Sequence, residues 1–498
     1  MDQRDDAETL RDLRWRVRST SLLSPPARRP FTERVSPVAS LFPVAGRSGW
    51  PAWSVAVGYV IGLAATSAAA LLRQPGVPAT KTIWAEDGRI FYAQTATLSF
   101  WRTLTTLHNG YMQLFPRLAV QLVHFVPVTD VSTLFALVGA VSMGAICCLV
   151  FHMARGHIAA PGLRALLAAG MVLLPVANVE LLDNLVNVPW WLFFAAFWAL
   201  LWRPKSWPGR ACAALVCFMA AGSEALVALF LPLAVARAGT VREAKEQAAT
   251  GGLVLGLLYQ AVVILPSGAK VTSPGGFHDV GASFAIRVGS GIFGGVRGTD
   301  WLVAHARDAS IVLGIVAVVA IVLTGVCARS VRIRWFTLVA ASYSVVGFVV
   351  PVWLRDVATV MDVGTVRIAG RYQAVPLLLL MSAVLVLADY FTRDGVSVSL
   401  GFSTWAARPS PATPTRAPAM SMSAVVATAV CAALFLPSWV ADFRGPNQRS
   451  AGPTWTAQVA RAVDHCRRGG NATASLSIDP PYWTVVLPCP LLVAAGSR

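Results

Sequence analysis

Apolar runs recur along the chain from Trp53 to Trp439, separated by polar stretches rich in Arg and Pro. About 20 apolar residues cross a bilayer as a helix. The pattern predicts membrane-spanning helices over 52–72, 131–153, 165–182, 188–202, 253–265, 311–326, 336–353, 372–390 and 423–439. The run 211–236 is long for one span and short for two. AAGSEAL at its middle and Pro232 beyond allow a helical hairpin. GYMQLFPRLAVQLVHFVPV mixes Arg117, Gln121 and His124 with apolar residues at helical spacing, as in a helix lying at the interface or lining a cavity.

Charge orients the spans. With a hairpin at 211–236, the Arg- and Lys-bearing stretches RPKSWPGR, ARAGTVREAK, CARSVRIR and TWAARPSPATPTRAPA all fall on one side, as the positive-inside rule prefers. The external segments are then 73–130, 183–187, 266–301, 354–371 and the tail after Trp439. SPGGFHDV and SGIFGGVRG, inside 266–301, read as flexible loop. The expected fold is an all-α polytopic membrane protein of about 10–12 transmembrane helices. It carries a long first extracytoplasmic loop (73–130) and a small extracytoplasmic C-terminal segment (440–498). Residues 1–48 read as a disordered cytoplasmic tail with a short helix near 8–17.

Composition agrees. Hydrophobic residues make up 56% of the 498 and charged residues only 13%, where soluble chains carry about 25% charged. The formal charge of +17 comes mostly from Arg scattered between apolar runs, which excludes a nucleic-acid partner and fits topology determinants. Six of the eight cysteines lie in or beside apolar runs as small buried residues. Cys466 and Cys489 sit in the polar tail, where an extracytoplasmic location allows a disulfide.

The chemistry concentrates outside the spans. No Gly-rich phosphate loop, CxxC, HExxH or nucleophile elbow is present. KTIWAEDGRIFYAQ, which follows the first apolar run, places Glu86 beside Asp87 among Trp84, Phe91 and Tyr92. Glu180 and Asn184 are one helical turn apart, near Asp183 and Asn187. They suit sugar hydroxyls, or a metal shared with the first-loop carboxylates, or simply a helix end closed by Asx side chains. Glu224 falls at the tip of the expected hairpin, where an acid is wet. His108 and His278 are single histidines in external loops.

Four stretches in order, WAEDGRIFYAQTA, HNGYMQLFPRL, ELLDNLVNVPWW and AGRYQAVPLLLL, together with the layout, resemble the GT-C glycosyltransferases of actinobacterial type. The resemblance covers the layout of most of the chain. It implies a GT-C-like bundle in the plasma membrane and a polyprenyl-phosphate sugar as donor. It also implies a cell-envelope glycan, glycolipid or protein as acceptor, and a first-loop carboxylate acting on the acceptor hydroxyl. That role falls to Asp87, with Glu86 second. A carboxylate base contributes roughly 10²–10⁴-fold, and direct displacement inverts the sugar carbon. Arg371 and Arg117 suit the donor phosphate through paired guanidinium hydrogen bonds, with Tyr372 adding a hydroxyl. His108, Asn109, Tyr111, Glu180 and Asn184 suit sugar groups. Mg²⁺ or Mn²⁺ suits such oxygen-rich groups, and metal-free catalysis is equally open. The competing class is a transporter or lipid-linked sugar flippase, which calls for paired intramembrane charges or repeat symmetry. A non-catalytic envelope assembly protein is a third.

Overall fold

A computed structural model describes residues 37–44, 51–265, 277–354, 366, 369–393, 421–445, 447–469 and 472–495. The expected helix near 8–17 lies outside them, as do most of the loop 354–371 and the side chain of His278. The principal elements are α1 (Ala52–Arg73), α2 (Val131–Met153), α3 (Pro161–Leu173), α4 (Val188–Leu201), α5 (Trp207–Ser223), α6 (Leu231–Thr240), α7 (Ala248–Ile264), α8 (Gly291–Val326), α9 (Val331–Leu354), α10 (Arg371–Arg393), α11 (Met422–Ala441), α12 (Trp455–Arg467), β1 (Thr473–Ile478), β2 (Trp483–Pro488) and α13 (Cys489–Ala495). Among the described residues, seven helices are long and apolar enough to cross a membrane. Shorter apolar helices fill the space between them. The architecture is that of an all-α polytopic membrane protein, apart from the small sheet in its C-terminal part.

Contacts fix the direction of several helices. Arg73, the last residue of α1, donates to the carbonyls of Val172 (2.5 Å) and Leu174 (3.0 Å) at the end of α3 and of Phe443 (3.1 Å) just after α11. At the opposite end, the Tyr59 hydroxyl of α1 meets His152 of α2 at 2.5 Å. α1, α3 and α11 therefore run one way and α2 returns. α5 and α7 run parallel, since a Cβ at Gly252 or Gly256 would meet the carbonyl of Ala214 (2.1 Å) or Phe218 (2.7 Å). Two adjacent parallel helices require a return between them. Extended backbone at Glu224, a 3₁₀ turn Ala225–Phe230 and α6 supply it. The 211–236 run is thus a hairpin. Its tip is not wet: Glu224 is 1% exposed, and its carboxylate caps the amide of Leu226 at 3.2 Å.

Two expectations are corrected, and two further elements appear. Residues 277–301, expected as loop, are helical apart from a break at Gly295 (φ 63°); a further break at Ala306 interrupts α8, and Ser290 donates to the carbonyl of Ser310 at 2.6 Å across two antiparallel limbs. A Cβ at Gly289 would lie 2.5 Å from the carbonyl of Gly314. Glycine there serves close helix contact, as small residues do in membranes. The span expected at 165–182 ends at Leu173, ahead of Pro175, which cannot continue a hydrogen-bonded helix. Ahead of the first span, Pro37–Leu41 forms a 3₁₀ turn, and Leu41 and Phe42 are buried. The C-terminal segment contains an antiparallel pair, β1 with β2, in register Thr473↔Pro488 through Ile478↔Trp483.

α4 is apolar and buried on all sides, as expected of a helix enclosed by others. Fourteen residues reach about 21 Å, short of the roughly 30 Å hydrocarbon core. The loop 174–187 before it is consequently drawn into the bundle.

The first loop and the C-terminal segment are one lobe. Ile83, Trp84, Phe91 and Tyr92 share a core with Trp455, Val459, Leu476, Ile478, Val485 and Leu487. β1 runs on to Asp479, whose amide donates to Ile83 (3.0 Å) and whose carbonyl accepts from Ala85 (2.5 Å). A disulfide joins Cys466 at the end of α12 to Cys489 at the start of α13.

Candidate functional site

Residues 84–87 enter the lobe as an added edge beside Asp479, then turn into a wide helical turn of π type, Asp87–Tyr92. Successive helical side chains diverge, so Glu86 and Asp87 face different ways. Asp87 is fully buried and accepts the backbone amides of Leu185 (2.8 Å) and Val186 (2.9 Å), one on each oxygen. Glu86 lines a cleft instead. The same cleft is lined by His108, Asn109, Tyr111, Gln113, Val186, Asn187, Trp190 and Arg371.

The rim is built by local rules. Asn109 (φ 53°) and Gly110 (φ 82°) both adopt left-handed backbone between His108 and Tyr111, whose backbones exchange hydrogen bonds at 3.0 and 3.2 Å. This is the two-residue Asn-Gly hairpin turn, which needs positive φ at both central residues. Gln260 of α7 clamps both backbone groups of Met112 at 2.9 Å, holding the hairpin in place. Gln113 donates to the Tyr111 hydroxyl at 3.1 Å.

Arg371 opens α10 at the cleft. Its backbone amide donates to Glu180 at 3.1 Å, and its Nε lies 3.9 Å from the same carboxylate oxygen. Burial raises the Glu86 carboxyl above its ordinary range, and Arg371 opposes that rise. Tyr372 is buried and supports the ring of Trp190 edge-on at 5.4 Å, rather than lining the cleft.

Two other expected ligands lie elsewhere. Arg117 is 1% exposed, donates to Gln94 (2.9 Å) and sits 5.4 Å over the Phe91 ring, outside the cleft lining. The amide of Asn184 is spent on the loop, donating to the carbonyls of Glu180 (2.6 Å) and Leu182 (2.8 Å) and accepting from Asn187. Here the Asx-closed helix end prevails. Among the described residues, no group of three or more His, Cys, Asp or Glu is arranged to hold a metal ion.

Sequence reasoning missed Arg449. This buried guanidinium donates to the Thr82 hydroxyl (2.6 Å) and to the carbonyls of Ala79 (3.0 Å), Asp183 (3.0 Å) and Thr82 (3.2 Å). It ties the C-terminal segment to both loops of the site. Nothing in NQRSAGP marks it locally. Three carboxylates surround it, Asp87, Asp183 and Asp479, each raised to about 7 by burial with Arg449 acting against the rise. A second, water-sized cleft is lined by Gln74, Trp84, Asn178, Glu180, Leu182, Asp183, Asn184 and Arg449.

The arrangement offers an accessible carboxylate of raised pKa, a guanidinium in the same cleft and a rim of neutral hydrogen-bonding groups. It can take a proton from a hydroxyl, steady an anion and orient a polyol. Compared with known protein families, curated proteins and solved structures, the chain has no match.

Proposed function

We propose that the protein is a GT-C-like membrane glycosyltransferase that moves a sugar from a polyprenyl phosphate to an extracytoplasmic acceptor of the cell envelope. The observation that carries this reading is the single cleft shared by Glu86 and Arg371. Glu86 replaces Asp87 as the base, because both Asp87 oxygens are occupied by backbone amides. In the step, an acceptor hydroxyl oxygen attacks the anomeric carbon. The bond from that carbon to the phosphate oxygen breaks, the hydroxyl proton passes to Glu86, and polyprenyl phosphate leaves against Arg371. The sugar carbon inverts. His108, Asn109, Tyr111 and Gln113 line the space for sugar hydroxyls. Asp87 is a positioning residue, fixing the backbone on which Val186 and Asn187 line the cleft.

Topology supports the reading. The end of the bundle opposite the cleft carries Arg155, Arg203, Lys205, Arg242, Lys245, Arg329 and Arg393 in its turns and helix ends. The positive-inside rule assigns that end to the cytoplasm and the cleft to the far side, in a plasma-membrane setting.

The test uses the full chain in lipid nanodiscs with labelled polyprenyl-phosphate pentose and hexose and cell-envelope glycans. Glu86→Gln should lower transfer by roughly 10²–10⁴-fold while the protein remains folded. A folded Glu86→Gln protein with full transfer overturns the assignment. Movement of the lipid-linked sugar across the bilayer without transfer would establish the flippase instead.

A further inference from the structure

At the end of the bundle that the positive-inside rule assigns to the cytoplasm, Arg203 pairs with Glu246 at 2.6 Å, Lys245 with Glu243 at 3.0 Å and Arg393 with Asp389. Arg155 and Arg164 lie at the same end and differ. Among the described residues neither forms an ion pair, and the buried Nε of each has no hydrogen-bond partner. Their charges nonetheless act on each other. The Asp389 carboxylate acts on Arg164 as well, but it is already taken by Arg393 and by the amides of Ala159 (3.0 Å) and Ala160 (2.8 Å).

The fold holds this pair beside α1. The Arg164 guanidinium lies 4.6 Å over the Phe151 ring, and its Nη1 reaches the Phe151 carbonyl at 3.5 Å. Phe151 meets Tyr59 of α1 edge-on at 6.2 Å, and His152 engages the Tyr59 hydroxyl. The charges of Arg155 and Arg164 both act on Tyr59 and on His152. The turn after α2 and the first turn of α3 thus bring two guanidiniums to one place. All five residues are half-buried, so the cluster reaches the surface. Val57, Val60 and Ile61, next to Tyr59 on α1, are exposed, and in a bilayer such side chains face acyl chains. Topology requires only that cations lie on the correct side. It does not require two of them to converge with N–H groups unspent, and nearly all buried donors in folded proteins find a partner.

We propose that Arg155 and Arg164 hold the phosphate of an anionic phospholipid of the inner leaflet, with its acyl chains lying along α1. Guanidinium groups match phosphate oxygens through paired hydrogen bonds, and basic pockets between transmembrane helices on the cytoplasmic side take such headgroups. A zwitterionic phospholipid carries the same phosphate with a cation beside it, which two guanidiniums repel. The exposed apolar face of α1 favours a lipid over a free anion. The site lies at the opposite end of the bundle from the Glu86 cleft and does not rest on the transfer reading.

The test places the full chain in nanodiscs of phosphatidylglycerol and phosphatidylcholine in equal parts. The protein is then released into mild detergent, and the lipid it retains is read by native mass spectrometry. The wild type should retain phosphatidylglycerol over phosphatidylcholine by about tenfold or more, as expected for hydrogen bonds between charged groups. Arg155→Gln combined with Arg164→Gln should remove that preference. Arg155→Gln alone is the second variant should the double variant fail to fold, since Arg155 has no ion pair to lose, and it too should lower the preference. Arg329→Gln, which removes an exposed cation from the same end, should leave the preference unchanged. Inorganic phosphate should not displace the lipid. The proposal is overturned if the wild type shows no preference, or if the folded Arg155 and Arg164 variants keep it. It is also overturned if Arg329→Gln lowers the preference equally, which would make it a property of the whole charged face. Displacement by inorganic phosphate would overturn it too, by making a free anion the ligand.

Discussion

Gly88 is where the C-terminal segment meets the first loop, and replacing it tests whether that contact sets the site. A Cβ at Gly88 would lie 2.7 Å from Cδ1 of Ile478 and 2.9 Å from Cγ2 of Ile83, against roughly 3.5–4.0 Å for relaxed carbon contacts. Both isoleucines are 1% exposed, so neither has open space to enter. Cδ1 of Ile478 can swing about χ2. Cγ2 of Ile83 moves only if the stiff β-branched χ1 changes. Gly88→Ala should therefore cost about 1–3 kcal/mol, the usual range for overpacking. The cost falls on the bridge between 83–85 and Asp479 that holds Glu86 beside the cleft. Ile478→Val removes the nearer clashing atom and leaves the other, so it should recover about half of the loss when combined with Gly88→Ala, though alone it costs about 0.5–1.5 kcal/mol. The assay is a double-mutant cycle read by hydrogen exchange of peptides covering 83–86 and 474–479. Gly88→Ala should speed exchange there by roughly 5- to 150-fold, and Ile478→Val should then slow it again. Strictly additive effects, or a Gly88→Ala protein with native protection in both segments, would refute the packing argument.

Two further predictions concern the same lobe. Asp87, Asp183 and Asp479 titrate near 7 in the folded protein because burial disfavours their charged forms. Between the ordinary carboxylate range near 4 and about 7, the folded state thus binds more protons than the unfolded state, and stability falls as pH rises through that window. Hydrogen exchange of the lobe, corrected for intrinsic rates, should show stronger protection at pH 5 than at pH 8; equal or reversed protection would be decisive against it. Reduction of Cys466–Cys489, whose cysteines are 23 residues apart, should cost the lobe about 2–4 kcal/mol by freeing the unfolded chain. The expected readout is faster exchange in 455–495 with the transmembrane core unchanged.

The spans were legible because lipid leaves a chain few options: backbone groups must pair internally, so long apolar runs become helices. The Asn109–Gly110 turn was equally available to local reasoning, since few other dipeptides accept its backbone. Legibility failed where one composition serves two purposes. Glycine and serine in 277–301 look like loop until another helix is set against them, and their role at Gly289 exists only in the presence of Gly314. The docking of Asp479 beside Ile83 joins residues nearly 400 positions apart through backbone groups, which carry no residue-specific signal. Arg449 was invisible for the same reason, because its guanidinium donates to the distant segments 79–82 and 183.

The Glu86–Asp87 pair shows how far spacing can carry an inference about chemistry. Two adjacent acids at a turn must diverge, so one faces a ligand space and the other faces protein. Sequence supplies that division but not its direction. The direction follows from the π-type turn that starts at Asp87 and from the two amides, Leu185 and Val186, that meet its oxygens. Once Asp87 is engaged there, the backbone of 185–187 is fixed, and Val186 and Asn187 become walls of the cleft that Glu86 faces. The buried acid thereby shapes the space in which the accessible one works. Loss of either would lower transfer, by different routes: Glu86→Gln should lower kcat with the 181–190 backbone unchanged, whereas an Asp87 variant should act through that backbone. An Asp87 variant with native hydrogen exchange across 181–190 and no transfer would return the base role to Asp87.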